Sequence, residues 1–169
     1  HIGGTLLLDS PQTMNLTLPV QYGVLNFTAT AGQTVAVGSN TLATTPANKQ
    51  VQLTVFNAAG TQVGQVSSTT VPTLNLTNLA AGTYSVLVNT VDAATASIEV
   101  RLAFGMTGVL PLDGTSQSFA STVKSQLGYF AFNATAGQNV GLAITDLVMS
   151  AGNVTALDVY RPNGVWLQQ

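Results

Sequence analysis

The side chains that could catalyse a reaction or bind a metal are few in this sequence. It contains one histidine, His1, no cysteine and six acidic residues among 169. A serine nucleophile needs a neighbouring base, and a copper site at His1 would need further nitrogen donors. We therefore predict that the chain is not an enzyme and has no catalytic residue, no metal site and no cofactor.

The acidic residues have simpler interpretations than catalysis. Asp9 and Asp113 each precede a small residue in a turn-like segment, where an aspartate can accept a hydrogen bond from the backbone N–H two residues on. Calcium is the alternative, but it needs six to eight oxygen ligands and neither site has a second acid nearby. Glu99 alternates with apolar residues beside Arg101, as in a solvated strand, so we do not predict a glycosidase pair of carboxylates.

The composition favours an all-β fold. It also argues against nucleic-acid binding and against a membrane span. Hydrophobic residues make up 46% of the sequence and charged residues only 6%, against about 25% in an average protein. The polar residues are mostly uncharged, with many threonines, which suit strands. Four dispersed basic residues cannot form a phosphate-binding patch, and no apolar run reaches the roughly 18 residues that a membrane span requires.

An internal repeat determines the domain organisation. The segment 27–35, FTATAGQTV, returns 105 residues later as FNATAGQNV at 132–140. Leu53–Phe56 returns as Leu157–Tyr160, but the sequence ends before any counterpart of 74–102. We predict one complete module at 1–105 and a partial second copy at 106–169. Glycines are expected to form the structural turns, because glycine adopts positive φ at little cost; they are Gly32, Gly137, Gly60, Gly164 and Gly82.

Alternating apolar residues predict the strands. Val51, Leu53 and Val55 alternate with polar residues, and the same period of two places Ile98, Val100 and Leu102 on one face of a strand. The segment 38–49, rich in Asn and Thr, is expected to be a loop. About eight or nine short strands in a module of about 100 residues indicate tandem antiparallel β-sandwich modules, jelly-roll-like, of which the second is incomplete.

Three aromatic residues form the candidate contact surface: Trp166, Tyr22 and Tyr129. Phe56 and Tyr160 occupy matched positions of the two copies and are expected to lie in the core. Trp166 matches Gln62 in the first copy, so it is the aromatic residue most expected to be exposed.

Three motifs carry a resemblance to a known family. The strand ending in TAGQ-x-V, the hairpin VFNAAG at 55–60 and the stretch LAAGTYSVLV at 79–88 resemble the bacterial pre-peptidase C-terminal domain. The resemblance covers 4–103 and again 108–169. It implies a jelly-roll-like sandwich of an exported bacterial protein, acting as a spacer, accessory or binding module. Some relatives bind calcium, polysaccharide or collagen through loop carboxylates, which this chain mostly lacks.

These observations predict a non-catalytic structural module of an extracellular or cell-surface bacterial protein. Such modules would build a stalk or filament by stacking or by strand complementation, since stacked repeats contact mainly their neighbours. The expected partners are neighbouring copies or further modules of the same polypeptide, and a polysaccharide is a further candidate. The alternative is a carbohydrate- or protein-binding accessory domain of a secreted hydrolase.

Overall fold

A computed structural model describes residues 2–149, 156–163 and 165–168. Within these residues, all regular secondary structure is β-strand. The predicted turn at Gly164 and the terminal His1 lie outside the described residues. None of the described residues belongs to a helix long and apolar enough to cross a membrane.

The first sheet has a long central strand between two antiparallel neighbours. Its strands, from edge to edge, are β1 (Ile2–Thr5), β3 (Tyr22–Ala29), β9 (Gly82–Thr90), β6 (Val51–Asn57) and β7 (Gln62–Ser68). β9 pairs antiparallel with both β3 and β6, whereas β1 runs parallel to β3.

The second sheet is organised around the longest strand of the chain. Its strands are β2 (Gln12–Leu16), β10 (Thr95–Phe104), β4 (Gln33–Gly38) and β8 (Thr73–Leu79), with the short β5 (Leu42–Thr45) paired to the first half of β10. The prediction of a loop throughout 38–49 was therefore wrong at β5. Its backbone pairs with a strand 50 to 56 residues away in sequence, which no local signal reveals.

One hydrophobic core lies between the two sheets. Val51, Leu53 and Val55 contribute from the first sheet, and Ile98 and Val100 from the second, all fully buried. Alternate residues of a strand point to opposite faces, so the strict alternation in both segments produces this core. The prediction of an all-β antiparallel sandwich is confirmed.

The described residues of the second copy contribute four further strands. They are β11 (Met106–Val109), β12 (Gly128–Ala131), β13 (Val159–Tyr160) and β14 (Trp166–Gln168). β11 pairs parallel with β12, as β1 does with β3, and the β13–β14 pair has a register shift at the position matching that between β6 and β7. The pairings of these strands therefore match those at the corresponding sequence positions of the first 105 residues.

The chain divides into two compact units, His1–Asn133 and Ala134–Gln169. The sequence repeat begins near residue 106, so the first unit contains the start of the second copy. The reason lies in a loop of that copy, which hydrogen-bonds to the second sheet.

Candidate module-docking site

The outer side of the second sheet carries a patch of small residues. In β4, Val35 and Val37 point into the core, so Ala36 and Gly38 point outward. Ala36 lies directly opposite Ala103 of β10 on one side and Asn75 of β8 on the other. We call Ala36, Gly38, Thr73, Asn75 and Ala103 the docking face.

A loop from the second copy covers this face. We call the segment from Thr122 to Leu127 the docking loop. Its Val123 is only 2% exposed and packs with Ala36 and Ala103. Burying a valine side chain in this way contributes about 1.5 to 3 kcal/mol.

Gly38 makes this contact sterically feasible. A Cβ atom added to Gly38 would lie 2.5 Å from Cγ1 of Val123 and 2.5 Å from Oγ1 of Thr73. Nonbonded carbon atoms pack at about 3.5 to 4.0 Å. The absent side chain is therefore what allows Val123 to approach the sheet.

Two asparagine side chains hold the docking loop, each donating from its amide nitrogen and accepting at its amide oxygen. Nδ2 of Asn40 donates to the carbonyl of Thr122 (3.1 Å), and its Oδ1 accepts from the backbone N–H of Lys124 (3.2 Å). Nδ2 of Asn75 donates to the carbonyl of Ser125 (3.0 Å), and its Oδ1 accepts from the N–H of Leu127 (3.1 Å). Main-chain groups that a buried loop would leave unpaired are thus satisfied.

Further hydrogen bonds surround the same contact. Oγ1 of Thr73 donates to the carbonyl of Lys124 (2.6 Å), and Nε2 of Gln126 donates to the carbonyl of Phe104 (2.6 Å). Oγ1 of Thr122 donates to Oδ1 of Asp9 (3.1 Å). The loop is therefore held at β4, β8 and β10 and by the turn after β1.

The docking loop has a structural twin in the first copy, the segment from Thr17 to Tyr22, which we call the first-copy loop. In the docking loop, Oε1 of Gln126 accepts from the N–H groups of Thr122 (2.8 Å) and Val123 (3.2 Å). Oε1 of Gln21 accepts from the equivalent pair in the first-copy loop, at 2.7 and 3.1 Å. The two loops share one backbone shape.

Both loops also place a non-glycine residue at positive φ. Ser125 has φ of 59°, and Val20, at the matching position, has φ of 57°. Such a conformation is unusual for a β-branched residue such as valine.

The glycine turns predicted from the repeat have the following conformations. Gly32 and Gly137 have φ of 77° and 81°, Gly60 has φ of 77°, and Gly82 has φ of 154°. In both Ala-Gly-Gln turns, the glutamine side chain accepts from the threonine N–H three residues earlier, at 2.8 and 3.0 Å.

The two matched aspartates behave differently. Oδ1 of Asp113 accepts from the N–H of Thr115 (2.9 Å), and this bond, with a second from the Thr115 side chain, lowers the pKa of Asp113. Position 11 is a proline, which has no N–H, so Asp9 cannot form this turn bond. Asp9 instead accepts from Thr122 of the docking loop.

Two ion pairs link other charged residues of the described part of the chain. Glu99 and Arg101 are 3.2 Å apart on the outer face of β10, and Lys49 lies 3.5 Å from Asp92. Among the described residues, no three His, Cys, Asp or Glu side chains meet at one point.

The three aromatic candidates lie on separate strands. Tyr22 begins β3, Tyr129 lies in β12, and both are partly exposed. Trp166 belongs to β14 in the other unit and is 55% exposed.

Phe56 and Tyr160 were both expected in the core, and both expectations were wrong. Phe56 is half-buried outside the core cluster, since it alternates with the inward-pointing Val55, and Tyr160 is 57% exposed.

Sequence reasoning missed the docking site. The pattern Thr-x-x-x-Gln at 17–21 and 122–126 repeats and could have indicated the loop shape. Asn40 and Asn75 gave no comparable signal, because their partners lie 50 or more residues away.

Comparison with known proteins yields one family match. The model of a secretion system C-terminal sorting domain matches residues 25–99, less than half of the chain, within β3 to β10. No curated protein matches the chain. The matched domain is a sorting domain of a secretion system, and the chain is accordingly a β-sandwich of a secreted protein, extracellular or at the cell surface.

Several solved structures are similar to this chain at low sequence identity. The pre-peptidase C-terminal domain of a Bacillus anthracis collagenase has a TM-score of 0.46 and 10% identity, covering 59% of this chain and 93% of that one. The periplasmic lysozyme inhibitor PliG of Aeromonas hydrophila has a TM-score of 0.42 and 14% identity, covering 60% and 96%. A carbohydrate-binding module of Cellvibrio mixtus lichenase 5A, solved with cellotriose, has a TM-score of 0.36 and 13% identity, covering 57% and 88%. Likenesses at this level establish neither a ligand nor an activity for this chain.

Proposed function

We propose that this chain is a non-catalytic, pre-peptidase C-terminal-like repeat of a bacterial surface protein, whose successive modules stack into a stalk. The observation that carries the proposal is the docking loop. Val123 of the second copy is buried on the first copy, and two asparagine side chains hold the loop backbone. This packed, hydrogen-bonded contact supports a role in which consecutive modules stack.

The position of the contact suits an extensible assembly. The docking face is formed by the first copy, and the docking loop comes from the start of the next. The second copy repeats the small residues of that face, with Gly141 and Ala143 at the positions of Ala36 and Gly38. A Cβ added to Gly141 would meet no atom within 4 Å. The second copy thus keeps small residues at part of the receiving face, although Ala143 carries the Cβ that Gly38 lacks.

Trypsin provides a direct test, because Lys124 lies in the middle of the docking loop. Its backbone N–H and carbonyl are both hydrogen-bonded to the first copy, so cleavage after Lys124 requires undocking. Val123→Asp would place an unpaired carboxylate against alanines, which costs several kcal/mol and should release the loop. We expect cleavage after Lys124 to become at least about tenfold faster, as each 1.4 kcal/mol corresponds to a factor of ten.

The matched control is Leu18→Asp. Leu18 is the counterpart of Val123 in the first-copy loop, and this change should leave cleavage after Lys124 at the wild-type rate. Equal cleavage rates in the wild type and the Val123→Asp variant would show that the modules do not dock, and the stacking proposal would fail.

The second candidate function is polysaccharide binding by an accessory domain. It is favoured by the exposed aromatic side chain of Trp166, since exposed aromatics can stack on sugar rings. A pull-down on insoluble polysaccharides, comparing the wild type with Trp166→Ala and Tyr160→Ala, would test it. Retention that depends on Trp166 would support this function, and identical retention of all three proteins would exclude Trp166 as the contact.

A further inference from the structure

The first-copy loop has the same backbone shape as the docking loop, but it does not pack on a docking face. Leu18 takes the position of Val123, yet 64% of Leu18 is exposed, whereas 2% of Val123 is. Val20, at the position of Ser125, is 81% exposed and held at φ of 57°. An apolar, conformationally strained loop on the surface of a β-sandwich is typical of a contact region.

We infer that the first-copy loop is a second docking element, and that its partner is the docking face of another copy of this module. This inference rests on the proposed stacking function, because it uses the same face and the same loop geometry. The docking loop identifies this partner, because within the chain a loop of the same shape already packs on the docking face.

The groups needed for docking are retained in the first-copy loop. The docked loop offers the carbonyls of Thr122, Lys124 and Ser125 to side chains of the face. Thr17, Pro19 and Val20 supply carbonyls at the same three positions of the same backbone shape. Donors corresponding to Asn40, Thr73 and Asn75 on a second copy could bind all three.

The glutamine of the loop is retained as well. Nε2 of Gln126 donates to the carbonyl of Phe104 on the docking face. Gln21 has the same side-chain geometry, with Oε1 engaged by Thr17 and Leu18. Within the described part of the chain, Nε2 of Gln21 makes no corresponding hydrogen bond, so it can supply the equivalent donor to a second copy.

One backbone donor of the docking loop is absent from the first-copy loop. The N–H of Lys124 donates to Oδ1 of Asn40, and Pro19 at the matching position has no N–H. Leu18 also has one methylene more than Val123. Docking of the first-copy loop therefore relies more on apolar contact, and we expect it to be weaker than the contact within the chain.

The docking face of the wild-type chain is already filled. A tethered loop has an effective concentration in the millimolar range, so a loop from another molecule cannot displace it. The face has to be vacated before the inference can be tested. Val123→Asp does this, and adding Leu18→Asp gives a double variant with a vacant face and no docking element of its own.

The experiment mixes two proteins and measures their association by sedimentation velocity. The wild type, with Leu18 exposed, should form a one-to-one dimer with the double variant. The matched control replaces the wild type with Leu18→Asp, and we expect an apparent Kd at least tenfold weaker. Equal association in the two mixtures would overturn the inference while leaving the proposed function, tested by cleavage at Lys124, unaffected.

A second variant decides the question if the double variant does not fold. Residues 123–125 are replaced by those of the first-copy loop, giving Val123→Leu, Lys124→Pro and Ser125→Val in one chain. If the first-copy loop fits the docking face, the N–H of Leu127, which donates to Asn75 in the wild type, stays protected from hydrogen exchange. Loss of this protection to the level of Val123→Asp would show that the loop does not fit.

Discussion

The two copies of the module share their turns but differ in their cores. The Ala-Gly-Gln turn has the same glycine conformation and the same glutamine hydrogen bond in both. Val35 and Leu53 are fully buried in the first copy, whereas their counterparts Val140 and Leu157 are exposed in the second. Turns need only neighbouring residues, and a core needs strands from far along the chain.

The missing partners can be named from the first copy. β9 lies between β3 and β6, and β10 is the centre of the second sheet. The described residues of the second copy contain counterparts of β1, β3, β6 and β7 but none of β9 or β10. Without a central strand, the remaining strand pairs cannot enclose their apolar faces.

The largest difference between the copies is expected from truncating the matched leucines. Leu53→Ala removes a fully buried side chain and should lower the free energy of unfolding by about 2 to 5 kcal/mol. Leu157→Ala, at a site 42% exposed, should change it by less than about 0.5 kcal/mol. Urea denaturation of both variants measures the contrast. Similar losses would mean that the second copy has a core after all.

A smaller difference is expected from the matched glycines. Gly32→Val forces a β-branched residue to positive φ and should cost roughly 1 to 3 kcal/mol in urea denaturation. Gly137→Val has the same local strain, but it should affect only the second copy. Its effect is measured as lost exchange protection of the Thr135 N–H, which donates to Gln138. Unchanged stability of Gly32→Val would contradict the requirement for glycine.

The smallest expected effect is the pH dependence of the turn at Asp113. The backbone N–H of Thr115 lowers the pKa of Asp113 in the folded chain. A lowered pKa means that the turn is stabilised above the unfolded-state pKa, and that this contribution disappears as the pH falls through the folded-state pKa. An NMR titration should therefore find the Asp113 carboxyl below the ordinary aspartate value. Thr115→Val retains the backbone donor and should reverse only the smaller, side-chain part of the shift.

Whether a structural feature can be predicted from the sequence depends on how far apart along the chain its interacting residues lie. The core positions 51, 53, 55, 98, 100 and 102 were predictable because period-two alternation is a local signal, and all six are buried. β5 was missed because its pairing with β10 outweighs a loop-like composition. The docking face was missed because its outward positions hold only small or polar residues, which resemble ordinary surface until the loop covers them.

The sequence by itself determined the alternating core strands, the turns and the sequence repeat, since alternation, glycine conformation and short-range hydrogen bonds act within a few residues. Only the tertiary structure decided which loop docks and which stays exposed. Thr17–Gln21 and Thr122–Gln126 have the same local hydrogen bonds, yet only the latter lies on a docking face. The physical reason is that docking depends on Ala36, Gly38 and Asn75 lying side by side, an arrangement that exists only after β4, β8 and β10 have paired.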